Sequence, residues 1–391
     1  MRHTTRIVLA AACCTAVIPL AIARSAPPQA TLYRVTVLSS SGASANTIQD
    51  SGVLGGSYTL ASGAKHAALW WFGQQLDLGT LGTGAGLSSA VQWPVKNFQG
   101  ILAGISLTDA LDPNQEGWSC SYFIPNPNFN VCLGFVWDPI SRKMRPLPTL
   151  GGTNGFATGS NDLGQTVGWA ETRVHDPSCV KPQVLQFKPV VWGPAPQEIN
   201  ALPLIDGDSS GAATALNDGG QIVGISGACG IAVGGVSAKH AVLWDNGVAI
   251  ELVNPNKAPY WNTPMMINQR GDVVGFAGVP GDAAGDYTPP FLWTRAGGWV
   301  FLPMLSGDIA GAATSINERG QIVGYSNDAN GDEHAWIRQD GKTLNLNDLV
   351  EPNSALTGPV ALAFDIDDEG DIAAATLTGQ ALLLVPVEEA R

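Results

Sequence analysis

The sequence predicts an all-β fold: a seven-bladed β-propeller of four-stranded antiparallel blades, closed by the N-terminal strand joining the last blade. Three observations predict it. The composition is rich in glycine and poor in charge, one block of residues recurs seven times at nearly even spacing, and the last copy lacks a strand that the chain supplies at its other end. Of 391 residues 47 are glycine and only 14% are charged, a balance that suits short strands and tight turns better than helices. A chain of this length can also be one repeat array whose core grows by adding units.

Taken from the start, Arg2, His3 and Arg6 precede an apolar run from Ile7 to Ala23 that ends Ala21-Ile22-Ala23 before Arg24. This is the layout of a secretory signal peptide over residues 1–23, followed by a short linker over 24–31 and a single seven-repeat propeller domain over 32–391. Pro19 and the shortness of the run argue against a membrane anchor. Ala10-Ala11-Ala12 before Cys13 does not form the Leu-led box of a lipoprotein. No other stretch is long enough to span a bilayer. The expected location is secreted or periplasmic.

The repeat is clearest at Ala215-Leu216-Asn217-Asp218-Gly219-Gly220-Gln221-Ile222-Val223-Gly224 and at Ser315-Ile316-Asn317-Glu318-Arg319-Gly320-Gln321-Ile322-Val323-Gly324. Its turn glycines fall at 52, 100, 164, 220, 271, 320 and 370, at successive spacings of 48, 64, 56, 51, 49 and 50. Asn can bond its own backbone two residues on, and Gly three residues later accepts the left-handed conformation that ends a hairpin loop. The flanking apolar residues then read as the first and second strands. A second block follows: His66-Ala67-Ala68-Leu69-Trp70, Gly134-Phe135-Val136-Trp137, Pro189-Val190-Val191-Trp192, His240-Ala241-Val242-Leu243-Trp244, Pro290-Phe291-Leu292-Trp293 and His334-Ala335-Trp336-Ile337. It reads as a third strand, and turns such as Asp245-Asn246-Gly247 lead from it into a fourth. Repeats of this size with four strands are the signature of propeller blades. The seventh copy runs out after Ala381–Val385, while Leu32–Leu38 stands ahead of the first hairpin where a fourth strand stands elsewhere. Pairing the two closes the ring and removes its edges.

These blocks, with their Asn-x-x-Gly-Gln-Ile-Val-Gly and His-Ala-x-Leu-Trp cores, resemble the bacterial extracellular HAF-repeat proteins, over nearly the whole stretch from Leu32 to Val387. The resemblance implies export and a repeat architecture, and it brings no reaction and no catalytic residues with it. In copies two, three, five and seven the His is replaced, so no shared His chemistry is implied.

The formal net charge of −13 would repel a phosphate backbone, and no cluster of Lys and Arg offsets it, so nucleic acid is excluded as a partner. Beyond the leader the cysteines are Cys120, Cys132, Cys179 and Cys229, an even number in a chain bound for an oxidising compartment. The expected bridges are Cys120–Cys132, as a local clamp, and Cys179–Cys229, between adjacent blades. The spacings lack the close pairs of a zinc site, and neither a metal nor another cofactor is expected. His66, His240 and His334 share one repeat position, which a ring holds apart, so they read as structural, as do Trp70, Trp137, Trp192, Trp244 and Trp293. The string Asp365, Asp367, Glu369, Asp371 looks like half a calcium loop, but its register is that of the repeat hairpin and Thr376 does not close it. Gly82-Thr83-Gly84-Ala85-Gly86 hints at a phosphate cradle without the helix that would complete one.

The departure from regularity that matters most is an insertion between the second and third strands of copy two, from Thr108 to Val131. It carries Trp118, Tyr122, Phe123 and Phe129, the candidate ligand-binding residues, together with Cys120. Copies three and four hold Cys179 and Cys229 in corresponding loops. In an antiparallel blade these loops emerge opposite the Asn-x-x-Gly hairpins, so they gather on one face, and such a face is where binding resides. No nucleophile elbow, zinc-protease motif or Cys/His dyad is present, and no catalytic residue is assigned. The expected function is an exported, monomeric, non-enzymatic binding or surface-interaction protein for a glycan, a peptide or a partner protein. The alternative is a secreted carbohydrate-active enzyme with carboxylates such as Asp206, Asp208 and Asp308 on that face or in the central channel.

Overall fold

The computed structural model describes residues 31–116, 118–195, 197–231, 238–353 and 355–387. The expected leader over 1–23 and all but the end of the linker lie outside them. The described chain forms seven four-stranded antiparallel sheets. Blade one is Ala43–Ile48, Leu54–Thr59, Lys65–Trp71 and Gln74–Gly79, in that order from the axis outward. Blades two to six repeat the pattern, with first strands Ser89–Ala90, Gly151–Ser160, Ser210–Leu216, Thr263–Ile267 and Asp308–Ile316. Blade seven is Val360–Ile366, Ile372–Thr376 and Ala381–Pro386, and its outermost strand is the N-terminal Tyr33–Ser39. That strand pairs antiparallel with the last, Tyr33 opposite Pro386 and Val37 opposite Leu382. Every turn glycine of the repeat has the left-handed backbone expected of it, with φ between 74° and 92°.

The glycine that ends six of the seven blocks, the seventh ending in Ala374, has a different cause. The first strands of blades one, three, four, five and six each carry a bulge, between Ala45 and Thr47 in blade one and between Ala213 and Ala215 in blade four. The bulge pushes a carbonyl against the second strand. A Cβ on Gly224 would lie 2.1 Å from the Ala212 oxygen, and one on Gly168 1.9 Å from the Phe156 oxygen. No side chain fits there, which is why Val-Gly recurs.

The core lies between blades, where the third-strand tryptophans are buried: Trp70, Trp137, Trp192 and Trp244 are all at most 4% exposed. Truncating any of them to Ala costs about 3–5 kcal/mol. The shared His is explained by a carboxylate at the start of its own blade. His240 Nδ1 sits 2.8 Å from Asp208, which also accepts from Ser226 Oγ, and His334 Nδ1 sits 3.0 Å from Asp308, which also accepts from Ser326 Oγ. In blade one His66 meets Asp77 instead. Asp208 and Asp308 thus serve separate blades and do not form a pair.

The seam that closes the ring is locked at the axis as well as at the rim. Lys96 of blade two reaches inward to the fully buried Asp365 of blade seven, 2.8 Å away, and donates to the carbonyls of Ile48 and Ile366. Asp365 also accepts from Thr47 Oγ1, the Ile48 amide and Ser315 Oγ. A buried carboxylate with this many donors is well held, whereas removing Lys96 would strand it.

Candidate functional site

The insertion of blade two is shorter than the sequence suggests, because its flanking strands run on to Leu111 and start again at Asn130. The described residues between them, 112–116 and 118–129, bring Tyr122 and Phe123 over the axis beside residues of blades five to seven. A polar clamp holds this segment to blade three. Asp112, Glu116 and Glu171 are each at most 4% exposed, and every one is surrounded by donors. Glu116 accepts from the amides of Val184 and Leu185, Asp112 from the amides of Asn114 and Glu116, and Glu171 from the amides of Thr153 and Asn154. Asn154 Nδ2 lies between Asp112 and Glu171, 3.1 Å from one and 3.2 Å from the other. Burial and the neighbouring Glu116 push the Glu171 carboxyl above its usual range.

Two disulfides complete the attachment. Cys120, on the short helix Trp118–Ser121, is bonded to Cys132 on the third strand of blade two. Cys179 of blade three is bonded to Cys229 of blade four, tying the loops of neighbouring blades. In the chain-entropy view these closures contribute about 3 and about 4 kcal/mol.

Held this way, the insertion roofs one end of the channel over a cavity of about 380 Å³. Trp93, Tyr122, Phe123, Trp261, Phe276, Tyr325 and Phe364 line it, with Gln92, Thr288 and Asn327 among the polar groups. Phe123 is anchored below, its ring 4.7 Å from that of Phe156 and edge-on to Trp93, while Tyr122 stands 68% exposed at the rim. Two polar atoms here are buried without partners, the Trp93 indole N–H and the Gln92 side-chain oxygen. One seeks an acceptor and the other a donor. Among the described lining residues none is Asp, Glu, His, Lys, Arg or Cys. Burial, Glu333 and Tyr122 push the Tyr325 hydroxyl up to about 12, so it stays neutral.

Of the four aromatic residues singled out in the insertion, the cavity gathers two, Tyr122 and Phe123. Phe129 lies outside the lining, half-exposed with φ of 55°, and its carbonyl accepts the Asp112 amide. Trp118 begins the short helix, and its side chain falls outside the described residues. The sequence reading missed Trp93, Trp261, Phe276, Tyr325 and Phe364. A signal for three of them existed in the repeat alignment. Phe276 and Tyr325 each follow the block-ending glycine, and Phe364 stands where three other blades place Thr158, Thr214 and Thr314.

The opposite mouth of the channel is different in kind. There the Asn of each hairpin donates to the main chain of the next blade: Asn161 to Asn217, Asn217 to Asn268, Asn268 to Asn317, and Asn317 to Asp367. The next residue links the blades again, since the amides of Phe98, Asp162, Asp218, Gln269, Glu318 and Asp368 donate in turn to the side chains of Asp162, Asp218, Gln269, Glu318, Asp368 and Asp50. The chain of bonds breaks only from blade one to blade two, where Phe98 offers no acceptor. A small cavity of about 110 Å³ remains at the centre, edged by Asp50, Asp218, Glu318, Asp368 and Lys96. The carboxylates of Asp50, Asp367 and Glu369 approach within 4.8 Å of one another. Burial and Asp371 raise the Asp367 carboxyl to about 7, and burial and Glu369 raise that of Asp371 to about 6. Asp367 and Gly370 form the seventh copy of the hairpin, as their register requires. The glycine-rich loop at residues 82–86 is likewise filled from within: the Asp109 carboxylate accepts from the amides of Thr83 and Gly84.

No family model matches the chain. No curated protein matches it either. Among solved structures it is similar to an acylaminoacyl peptidase from Pyrococcus horikoshii, at 12% identity and a TM-score of 0.51, over 88% of this chain and 51% of that one. It is similar also to a puromycin-hydrolyzing peptidase from Mycobacterium tuberculosis, at 10% identity and a TM-score of 0.51, over 90% of this chain and 53% of that one. The chain spans about half the length of either peptidase. At such identities the likeness is one of fold, and no activity passes across with it. Among the described residues no helix is long and apolar enough to cross a membrane.

Proposed function

We propose that this chain is an exported, non-enzymatic binding protein of the HAF-repeat kind, which takes an uncharged ligand, a glycan or a capped peptide segment, at the roofed mouth of its channel. The observation that carries this reading is the lining itself: aromatic faces, two unpartnered polar atoms and no ionisable acid or base besides tyrosine. Such a pocket orients a neutral molecule and supplies nothing to move a proton at neutral pH. A glycosidase would need two carboxyls facing one bond; the acids of the roofed end, Asp112, Glu116 and Glu171, are buried against main-chain donors outside the cavity lining, and those of the opposite mouth are engaged in holding the blades together. The two disulfides suit an oxidising compartment.

The test is calorimetric titration of the refolded mature protein with neutral oligosaccharides and with capped peptides, beside a hydrolase screen of the same compounds. Neutral ligands are expected to bind without turnover, and Tyr122→Ala to weaken binding about tenfold through the loss of one stacking face. Hydrolysis of any compound, or binding untouched by Tyr122→Ala and Tyr325→Phe, overturns the reading.

A further inference from the structure

On the hairpin face, several tips of blades one to three differ from those of the other four blades. The hairpin tips of blades four to seven are polar, among them Asp218-Gly219, Asn246-Gly247, Glu318-Arg319, Asp340-Gly341 and Asp368-Glu369. Four of the six equivalent tips of blades one to three carry Phe72, Phe98, Ile140 and Leu163, which are 86%, 66%, 94% and 58% exposed, while the first hairpin of blade one keeps the polar Asp50-Ser51. Trp71, 51% exposed, lies tilted against Phe72 with ring centroids 4.9 Å apart.

Phe72 is held there against its local preference. In blades one, four and six a two-residue turn joins the third and fourth strands, between Trp71 and Gln74, Asp245 and Val248, and Gln339 and Lys342. Both turn residues are left-handed in every case, with φ of 46° and 73° at Phe72-Gly73, 51° and 77° at Asn246-Gly247, and 50° and 76° at Asp340-Gly341. Asn and Asp tolerate that conformation and are the usual residues of such a turn, whereas a bulky aromatic is not. Phe72 therefore bears backbone strain and, 86% exposed, offsets little of it through its contact with the neighbouring Trp71, itself 51% exposed. A residue that breaks a local rule at an exposed site points to something outside the molecule.

Charge indicates what that is. Arg142, Lys143 and Arg145 follow Ile140 on the same hairpin, all exposed, and nowhere else in this chain of net charge −13 do three cations fall within four residues. Apart from the Trp71 and Phe72 pair, the apolar side chains stand on separate turns, so a rigid protein would need a separate socket for each turn. A soft, planar phase accepts them directly. We infer that the tips of blades one to three dock this protein on an anionic lipid surface, with Trp71, Phe72, Phe98 and Ile140 entering the interface and Arg142, Lys143 and Arg145 meeting the headgroups. The carboxylate-rich tips of blades four to seven then tilt away from the surface, and the roofed mouth faces the surrounding solution.

Flotation of the mature protein tests this, using vesicles of phosphatidylcholine alone and of phosphatidylcholine mixed with an equal part of phosphatidylglycerol. Binding to the anionic vesicles is expected to exceed that to neutral ones by about tenfold or more and to fall with added salt. Phe72→Asn combined with Ile140→Ser should abolish it. Both replacements sit at exposed tips, and Asn is what blade four uses at that turn, so the fold survives. Changing Arg142, Lys143 and Arg145 to Ser should erase the preference for anionic vesicles. Failure to float with either vesicle overturns the inference, as does binding that the Phe72 and Ile140 changes leave intact. So does a dimer in light scattering that these same changes dissolve, since the occupant would then be a second copy.

Discussion

The channel has two mouths made from the same seven repeats, and they have gone opposite ways. At the hairpin mouth blades three to six each contribute the same Asn to the same bond with the next blade, so position among them hardly matters. At the roofed mouth the blades contribute different side chains, with Phe276 and Tyr325 alone among the aromatic lining residues sharing a repeat position, and one insertion is clamped and bridged into place over the cavity. The difference teaches that repetition here builds the frame, while specificity comes from the places where repetition fails.

Breaking the roofed side should have the largest effect. Replacing Cys179 and Cys229 by Ser is expected to lower stability by about 4 kcal/mol, and replacing Cys120 and Cys132 by about 3 kcal/mol, in urea unfolding. The Cys120 and Cys132 pair should also lose ligand binding while the hairpin ring stays protected from amide exchange. Equal loss of protection at both mouths would mean that they are not independent.

An intermediate effect is expected at the ring. Asn217→Ala removes its bonds to the Asn268 carbonyl and to Gln221, in a side chain that is 2% exposed. The cost should be about 2–3 kcal/mol, with ligand affinity unchanged.

The smallest effect should be a gain. Asp367 and Asp371 hold their protons more tightly in the folded chain than in the unfolded one, where an Asp titrates near pH 4. Their contribution is therefore full below about pH 4 and is lost as pH rises through about 6 and 7. Asp367→Asn installs the residue that blade five uses, where Asn268 Nδ2 faces Asp272. The variant should be more stable than the parent by on the order of 2 kcal/mol at pH 8 and by little at pH 4. An equal gain at both pH values would show that charge is not the cause.

The same division decides what the sequence reveals. Blade number, strand order and ring closure are legible because each rests on local chemistry repeated in series: Asn and Gly at a hairpin, and Gly where a bulge leaves no room for a side chain. Tyr122 and Phe123 could be found because an insertion advertises itself. Met265, Phe276 and Phe364 could not be found the same way, because they sit in ordinary strands and become neighbours only once the ring brings blades two, five, six and seven around one axis. Phe129 illustrates the converse, an aromatic residue in the right segment whose left-handed backbone turns it to another task.

Closure by the first strand has a consequence for how the protein comes into being. Tyr33–Ser39 must wait for Ala381–Pro386, so a chain emerging N-terminus first carries an unpartnered strand until its last residues arrive. A product lacking either strand cannot shut the circle, whose closing pair is extended by the Val387 amide bonded to the Leu32 carbonyl.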